Sequence, residues 1–155
     1  MRVTQYDVEL DETMHPVLIK ERGINYSTNS KTLSSPQTIV DMCNEVFRMK
    51  RLAEEKVLLI ALNAKGAPLG TFEVFRGAVN YSIINARELF IRLLLVGAVC
   101  FVVVHNHPSG DITPSEEDIA AANRIQEVGR LMNIAMLDFI IIGDGFLSFH
   151  EKGIL

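Results

Sequence analysis

Residues 102–122 read VVVHNHPSGDITPSEEDIAAA. Two histidines, His105 and His107, stand one residue apart where an apolar run gives way to Pro, Ser and Gly. In an extended chain alternate side chains share a face, about 6–7 Å apart along the strand, so both imidazoles can address one point. Ser115 and Asp118 follow where a helical pattern begins. Two imidazole nitrogens and a carboxylate are the protein ligands of a catalytic zinc that keeps a fourth position for water, whereas a structural zinc needs four closed ligands. Each residue alone has an ordinary role: the histidines as polar loop residues, Asp118 as an acid favoured by the positive end of a helix dipole, Ser115 as a polar helix-start residue. The joint spacing, His-x-His, seven residues, Ser, two residues, Asp, points instead to a metal centre taking one zinc per chain. Ser115 is placed to aim its hydroxyl at the open side of the ion. His15 and His150 are expected to be ordinary polar residues.

These residues must be held by the flanking elements. AVCFVVV, ahead of His105, is too apolar for a strand with one wet face and predicts a central strand covered on both sides. The helix that follows is expected to start with Thr113 as N-cap, Pro114 first and Glu116 third, and to run to about Met132. Asp118 then falls at the end of the first turn. SSPQTIVDMCNEVFRMKRL predicts a helix over about 36–53, and EKVLLIALNAKGAPLGTFEVFRG a hairpin turning at NAKG, with Gly66 free for positive φ. NARELFIRLLLVG predicts a helix capped by Asn85, with Glu88 completing a capping box and Gly97 ending it. LDFIIIGDGFLSFHE reads as a second hairpin, turning at GDG. Residues 1–34 are expected to form one or two edge strands or a wrapping segment, as an N-terminal extension of a domain spanning 35–155. This order implies an α/β fold, a mixed sheet with helices packed on its faces.

A chain of 155 residues with 48% hydrophobic content can bury one sizeable core. A net charge of −4 gives no global positive field, so nucleic-acid binding is not expected, and Arg48–Arg51 reads as a solvated face. Cys43 and Cys100 sit in apolar surroundings as small buried hydrophobes. The opening residues lack the apolar segment of a signal peptide, and no run of 18 apolar residues occurs, so a cytoplasmic chain without membrane contact is expected. A zinc nucleobase deaminase would need His-x-Glu and a Pro-Cys-x-x-Cys pair, which are missing. The letters HNH do not make a nuclease, whose named residues are far apart in sequence.

His105, His107, Ser115 and Asp118 match the JAMM motif of the JAB/MPN metalloprotease superfamily. More narrowly, FEVFRGAVNYSIINARELF, VVVHNHPSGDITPSEEDI and LDFIIIGDG resemble the RadC family of bacterial JAB-domain proteins over roughly residues 52–150. The resemblance implies a single JAB/MPN domain, a curved mixed sheet flanked by helices with a cytidine deaminase-like layout. It implies zinc held by His105, His107 and Asp118, and a glutamate that handles the proton of the attacking water. Glu55, ahead of the apolar strand in EEKVLLIALNAKG, matches that position, with Glu54 as alternative; a carboxylate at the mouth of a buried strand is partly desolvated and suited to a base. The activity implied is hydrolysis of a peptide or isopeptide bond in a protein or peptide substrate. The alternative is a DNA-repair-associated accessory or scaffold protein that binds zinc without proteolysis. Two departures matter. Residues 1–50 show no glycine-hinged helix pair like the DNA-binding module of full-length relatives, and NARE stands where relatives often have HPRE, so Asn85 is expected only to cap.

Overall fold

The computed structural model describes residues 1–28, 30–77 and 84–155; Asn29 and residues 78–83 of the family-like segment lie outside the described residues. In chain order the elements are β1 (Arg2–Leu10), β2 (Pro16–Asn25), α1 (Pro36–Phe47), β3 (Glu55–Leu62), β4 (Pro68–Gly77), α2 (Ala86–Val96), β5 (Cys100–Asn106), α3 (Glu116–Met132), β6 (Ala135–Ile142) and β7 (Phe146–Ser148). The strands form one mixed sheet in the order β2-β1-β4-β3-β5-β6-β7. β5 runs antiparallel to β3 and parallel to β6, with α3 as the crossover between the parallel pair.

The apolar run before His105 is a central strand, as its composition requires. Phe101 and Val103 pack on one face of the sheet with Leu89, Phe90 and Leu93 of α2 and Ile125 of α3. Val102 and Val104 pack on the other with Ile39, Val40 and Cys43 of α1. Strand alternation therefore carries His105 to the α2 and α3 face and Asn106 to the α1 face. In open α/β sheets ligands collect outside the carboxyl ends of strands, and here that end of β5 carries both histidines.

Residues 2–25 form an antiparallel hairpin at the sheet edge, joined to β4 through the parallel pair Gln5↔Thr71. Both later hairpins form as expected, and Gly66 adopts φ 73° in the first turn. Asn85 caps α2 by accepting from the Arg87 N–H at 3.0 Å, and Gly97 ends it in the left-handed region. The expected box does not close, because the Glu88 carboxylate pairs with Arg87 and Arg92 instead.

The first helix is shorter than its pattern. Arg48 takes φ 56° and donates its N–H to the carbonyls of Cys43 and Asn44, and a short 3-10 turn over Met49–Arg51 follows. The reversal buries Met49 completely in the α1-side core. Cys43 is fully buried and Cys100 half-buried, and burial pushes both thiols up, away from reactivity. Among the described residues no helix is long and apolar enough to cross a membrane.

Candidate metal centre

His105 lies on β5, His107 in the loop beyond it and Asp118 in the first turn of α3. One ligand atom from each lies within 4.8 Å of the others. His105 Nε2 is 3.9 Å from Asp118 Oδ1, and His107 Nε2 is 3.7 Å from Asp118 Oδ2. The two rings meet edge to face at 4.8 Å between centroids. His105 and Asp118 are fully buried.

The start of α3 corrects the expected cap. Ser115, not Thr113, is the N-cap, so Glu116 is the first helical residue and Asp118 the third. Ser115 Oγ accepts from the Asp118 N–H at 3.0 Å, while Asp118 Oδ2 accepts from Ser115 N–H and Oγ, each at 2.7 Å. This is a reciprocal capping box. Thr113 instead donates its N–H to Asp111 Oδ1 at 2.9 Å in a turn before the helix. The sequence holds two overlapping matches, Thr113-x-x-Glu116 and Ser115-x-x-Asp118. The second closes because Asp118 must turn back toward the histidines, where its Oδ2 also meets both Ser115 donors. The Ser115 hydroxyl hydrogen is directed at Asp118.

Whether the donor set fits a metal can be read from the outer nitrogens. His105 Nδ1 lies 3.4 Å from the Lys56 carbonyl and His107 Nδ1 2.7 Å from the Asp111 carbonyl. A carbonyl only accepts, so each Nδ1 carries a hydrogen, and the Nε2 that faces Asp118 offers its lone pair to a metal once it is unprotonated. Ligands about 2.0–2.2 Å from a tetrahedral zinc stand about 3.3–3.6 Å apart; here the two Nε2 atoms lie 3.9 and 3.7 Å from different oxygens of Asp118, and one ligand atom from each residue lies within 4.8 Å of the others, so the group must draw in to close on an ion. Two imidazoles oriented by backbone carbonyls and a carboxylate oriented by Ser115 fit zinc.

The two histidines titrate apart. Burial, helped by the like charge of His107 and opposed by Asp118, lowers His105 to about 4. The Asp118 carboxylate raises His107 above its usual value, with smaller help from the Asp111 carbonyl and Glu55 and opposition from burial.

Glu55 opens β3, half-buried. Val57 is the register partner of His105, and strand alternation puts Glu55 on the face of Val57, beside the histidines. Glu54 points elsewhere, its exposed carboxylate paired with Arg76 Nε at 2.9 Å. Neither His15, bonded to Thr13 Oγ1, nor His150 belongs to the group of potential metal ligands.

Two contributors escaped the sequence reading. Asn106, between the histidines, accepts from the Lys56 N–H at 2.7 Å and donates to the Glu54 carbonyl at 3.1 Å. The only signal was a polar residue on the buried face of a strand end. The GDG turn braces the His107 loop: the Asp144 N–H donates to the Gly110 carbonyl at 2.8 Å. A Cβ on Gly143 would stand 2.3 Å from that same oxygen.

Fold and site together define a JAB-type domain, and the sequence comparisons agree. Residues 33–154 match the family model described as the RadC-like JAB domain, and the chain belongs to that family. Among its relatives is a UPF0758 protein of Pelobacter propionicus, 39% identical over 128 residues, which are 82% of this chain and 55% of that protein. Another from Clostridium botulinum is 43% identical over 124 residues, covering 79% of this chain and 53% of the relative. A third, from Geotalea uraniireducens, is 40% identical over 139 residues, with shares of 89% and 60%. The chain thus spans about half the length of the curated relatives it matches.

Proposed function

We propose that this chain is a zinc-dependent hydrolase of the JAMM type that cuts a peptide or isopeptide bond. His105, His107 and Asp118 hold the metal, and Glu55 carries the proton. The observation behind this reading is the convergence of two Nε2 atoms and a buried carboxylate within 4.8 Å, with Glu55 on the same face of the sheet. A zinc ion bound there supplies a positive charge that acidifies a water toward neutrality and polarises a carbonyl oxygen.

The protein's own part is proton traffic and orientation. The Glu55 carboxylate accepts one proton of the attacking water, whose oxygen bonds to the amide carbon. It then hands that proton to the leaving nitrogen as the C–N bond breaks. Ser115 serves the site first through Asp118, since its hydroxyl hydrogen is directed there. Donation to a developing oxyanion requires that O–H to turn away from Asp118.

The test compares proteome-wide new N-termini, and branched lysine peptides for isopeptide cleavage, after incubation with zinc-loaded wild type and with Glu55→Gln. Cleavages present only with wild type are expected. Identical peptide sets would sink the hydrolase and leave the reading of a zinc-binding scaffold.

A further inference from the structure

We propose that Asn106 is a positioning residue for Glu55: its carboxamide brackets Glu55 by holding the peptide groups on either side of it. The inference rests on the reading of Glu55 as proton carrier. The β3 to β5 ladder reaches only to the pair Val57↔His105, so beyond it backbone pairing no longer fixes the mouth of β3 against the histidine strand. Asn106 continues the ladder with its side chain. Its Oδ1 accepts from the Lys56 N–H at 2.7 Å, and its Nδ2 donates to the Glu54 carbonyl at 3.1 Å. Both amide atoms are thereby spent on the residues before and after Glu55, and Asn106 is 1% exposed.

The rest of the neighbourhood makes that bracket directional. The Lys56 carbonyl faces His105 Nδ1 at 3.4 Å, so the residue that carries the bracket also meets a metal ligand. The Lys56 side chain is buried and bonded to Glu73 Oε2 at 2.6 Å, which fixes residue 56 from its other end. With residues 54 and 56 held, Glu55 projects to the face of the histidines. Only a carboxamide of this length offers both halves of the bracket, because Asp lacks the donor for the Glu54 carbonyl and an apolar residue would leave two peptide groups without these partners.

The experiment needs no natural substrate. Acetohydroxamic acid is a zinc-directed probe whose O–H bond breaks on binding; its oxygen goes to the metal and its proton to a neighbouring carboxylate, here Glu55. Calorimetric titration into the zinc-loaded chain should show Glu55→Gln binding on the order of tenfold more weakly or worse, and Asn106→Ala on the order of tenfold more weakly, at unchanged zinc content. The double variant should bind no more weakly than Glu55→Gln alone, because Asn106 acts through Glu55. Amide hydrogen exchange at Lys56 in the metal-free protein should accelerate in Asn106→Ala. If that variant does not fold, Asn106→Asp, which keeps the acceptor and loses the donor, takes its place.

Wild-type affinity in the Asn106 variant, a multiplicative loss in the double variant, or lost zinc would overturn the positioning role alone. Wild-type affinity in Glu55→Gln would overturn the proton-carrier reading, and the positioning role with it.

Discussion

Replacing Ser115 by Ala separates the two roles its hydroxyl could play. The change removes the acceptor for the Asp118 N–H, at 3.0 Å, and the donor to Asp118 Oδ2, at 2.7 Å; the backbone bond from Ser115 N–H to the same oxygen survives. Loss of an N-cap costs about 1 kcal/mol. A hydrogen bond to a charged group is worth about 1.5–3 kcal/mol, and the retained backbone donor offsets part of its loss. The metal-free variant should therefore be about 2–3 kcal/mol less stable, a fall in Tm of about 4–12 °C for a chain of this size. Because the hydroxyl also orients Asp118, the carboxylate proposed to hold zinc, zinc affinity should drop about 10–100-fold. Urea denaturation in chelator gives the first quantity and competition against a zinc indicator the second. Ser115→Thr should recover most of both. If Ser115→Ala keeps wild-type stability and zinc affinity while slowing only turnover, the hydroxyl serves substrate and not Asp118, and this reasoning fails.

Asp118→Ala in the metal-free protein should destabilise by more than the roughly 0.3–1 kcal/mol of a helix-dipole acid, since both Ser115 donors lose their acceptor; denaturation in chelator measures it, and a loss confined to that range would contradict the capping box. Zinc binding should weaken about tenfold per pH unit below the raised pKa of His107, which must shed its proton, and about a hundredfold per unit only near pH 4, where His105 also protonates. In the metal-free chain the signs are opposite for the two residues. The raised His107 contributes stability present below pH 6.5 and lost as pH rises through its folded value, while a fall from pH 6.5 toward 4 destabilises the native state, because the unfolded chain protonates His105 and the folded one does not. Denaturation against pH, with His105→Ala and His107→Ala as controls, resolves them. Gly143→Ala should weaken zinc binding by displacing Gly110 and the His107 loop, whereas Gly145→Ala, whose Cβ would meet nothing within 4 Å, should leave it unchanged.

The grouping of His105, His107 and Asp118 was legible because its three members are placed by local rules. Two stand one residue apart where an apolar strand runs out, and the third lies within the first turn of a helix. The strands and hairpins after residue 54 were legible for the same reason, since period and turn residues are local, whereas the sequence of the β1–β2 hairpin leaves edge strands and a wrapping segment both open. Helix ends were less so. α1 stops at a left-handed arginine without Gly or Pro, because burying Met49 outweighs continued helical spacing, a tertiary cause that the pattern over 36–53 does not carry. At α3 two capping-box patterns overlapped, and the choice fell to the one whose acid also faces the histidines. Asn106 looked like a spacer because its partners, Glu54 and Lys56, are about fifty residues away in sequence.

Elemental analysis of the purified chain and of its His105, His107 and Asp118 variants, after zinc reconstitution and gel filtration at neutral pH, decides whether His105, His107 and Asp118 form a zinc site. One zinc per chain is expected in wild type and in Glu55→Gln, with zinc lost from His107→Ala and Asp118→Ala while circular dichroism shows them still folded. A wild-type chain that retains no zinc, or variants that retain as much as wild type, would contradict that site.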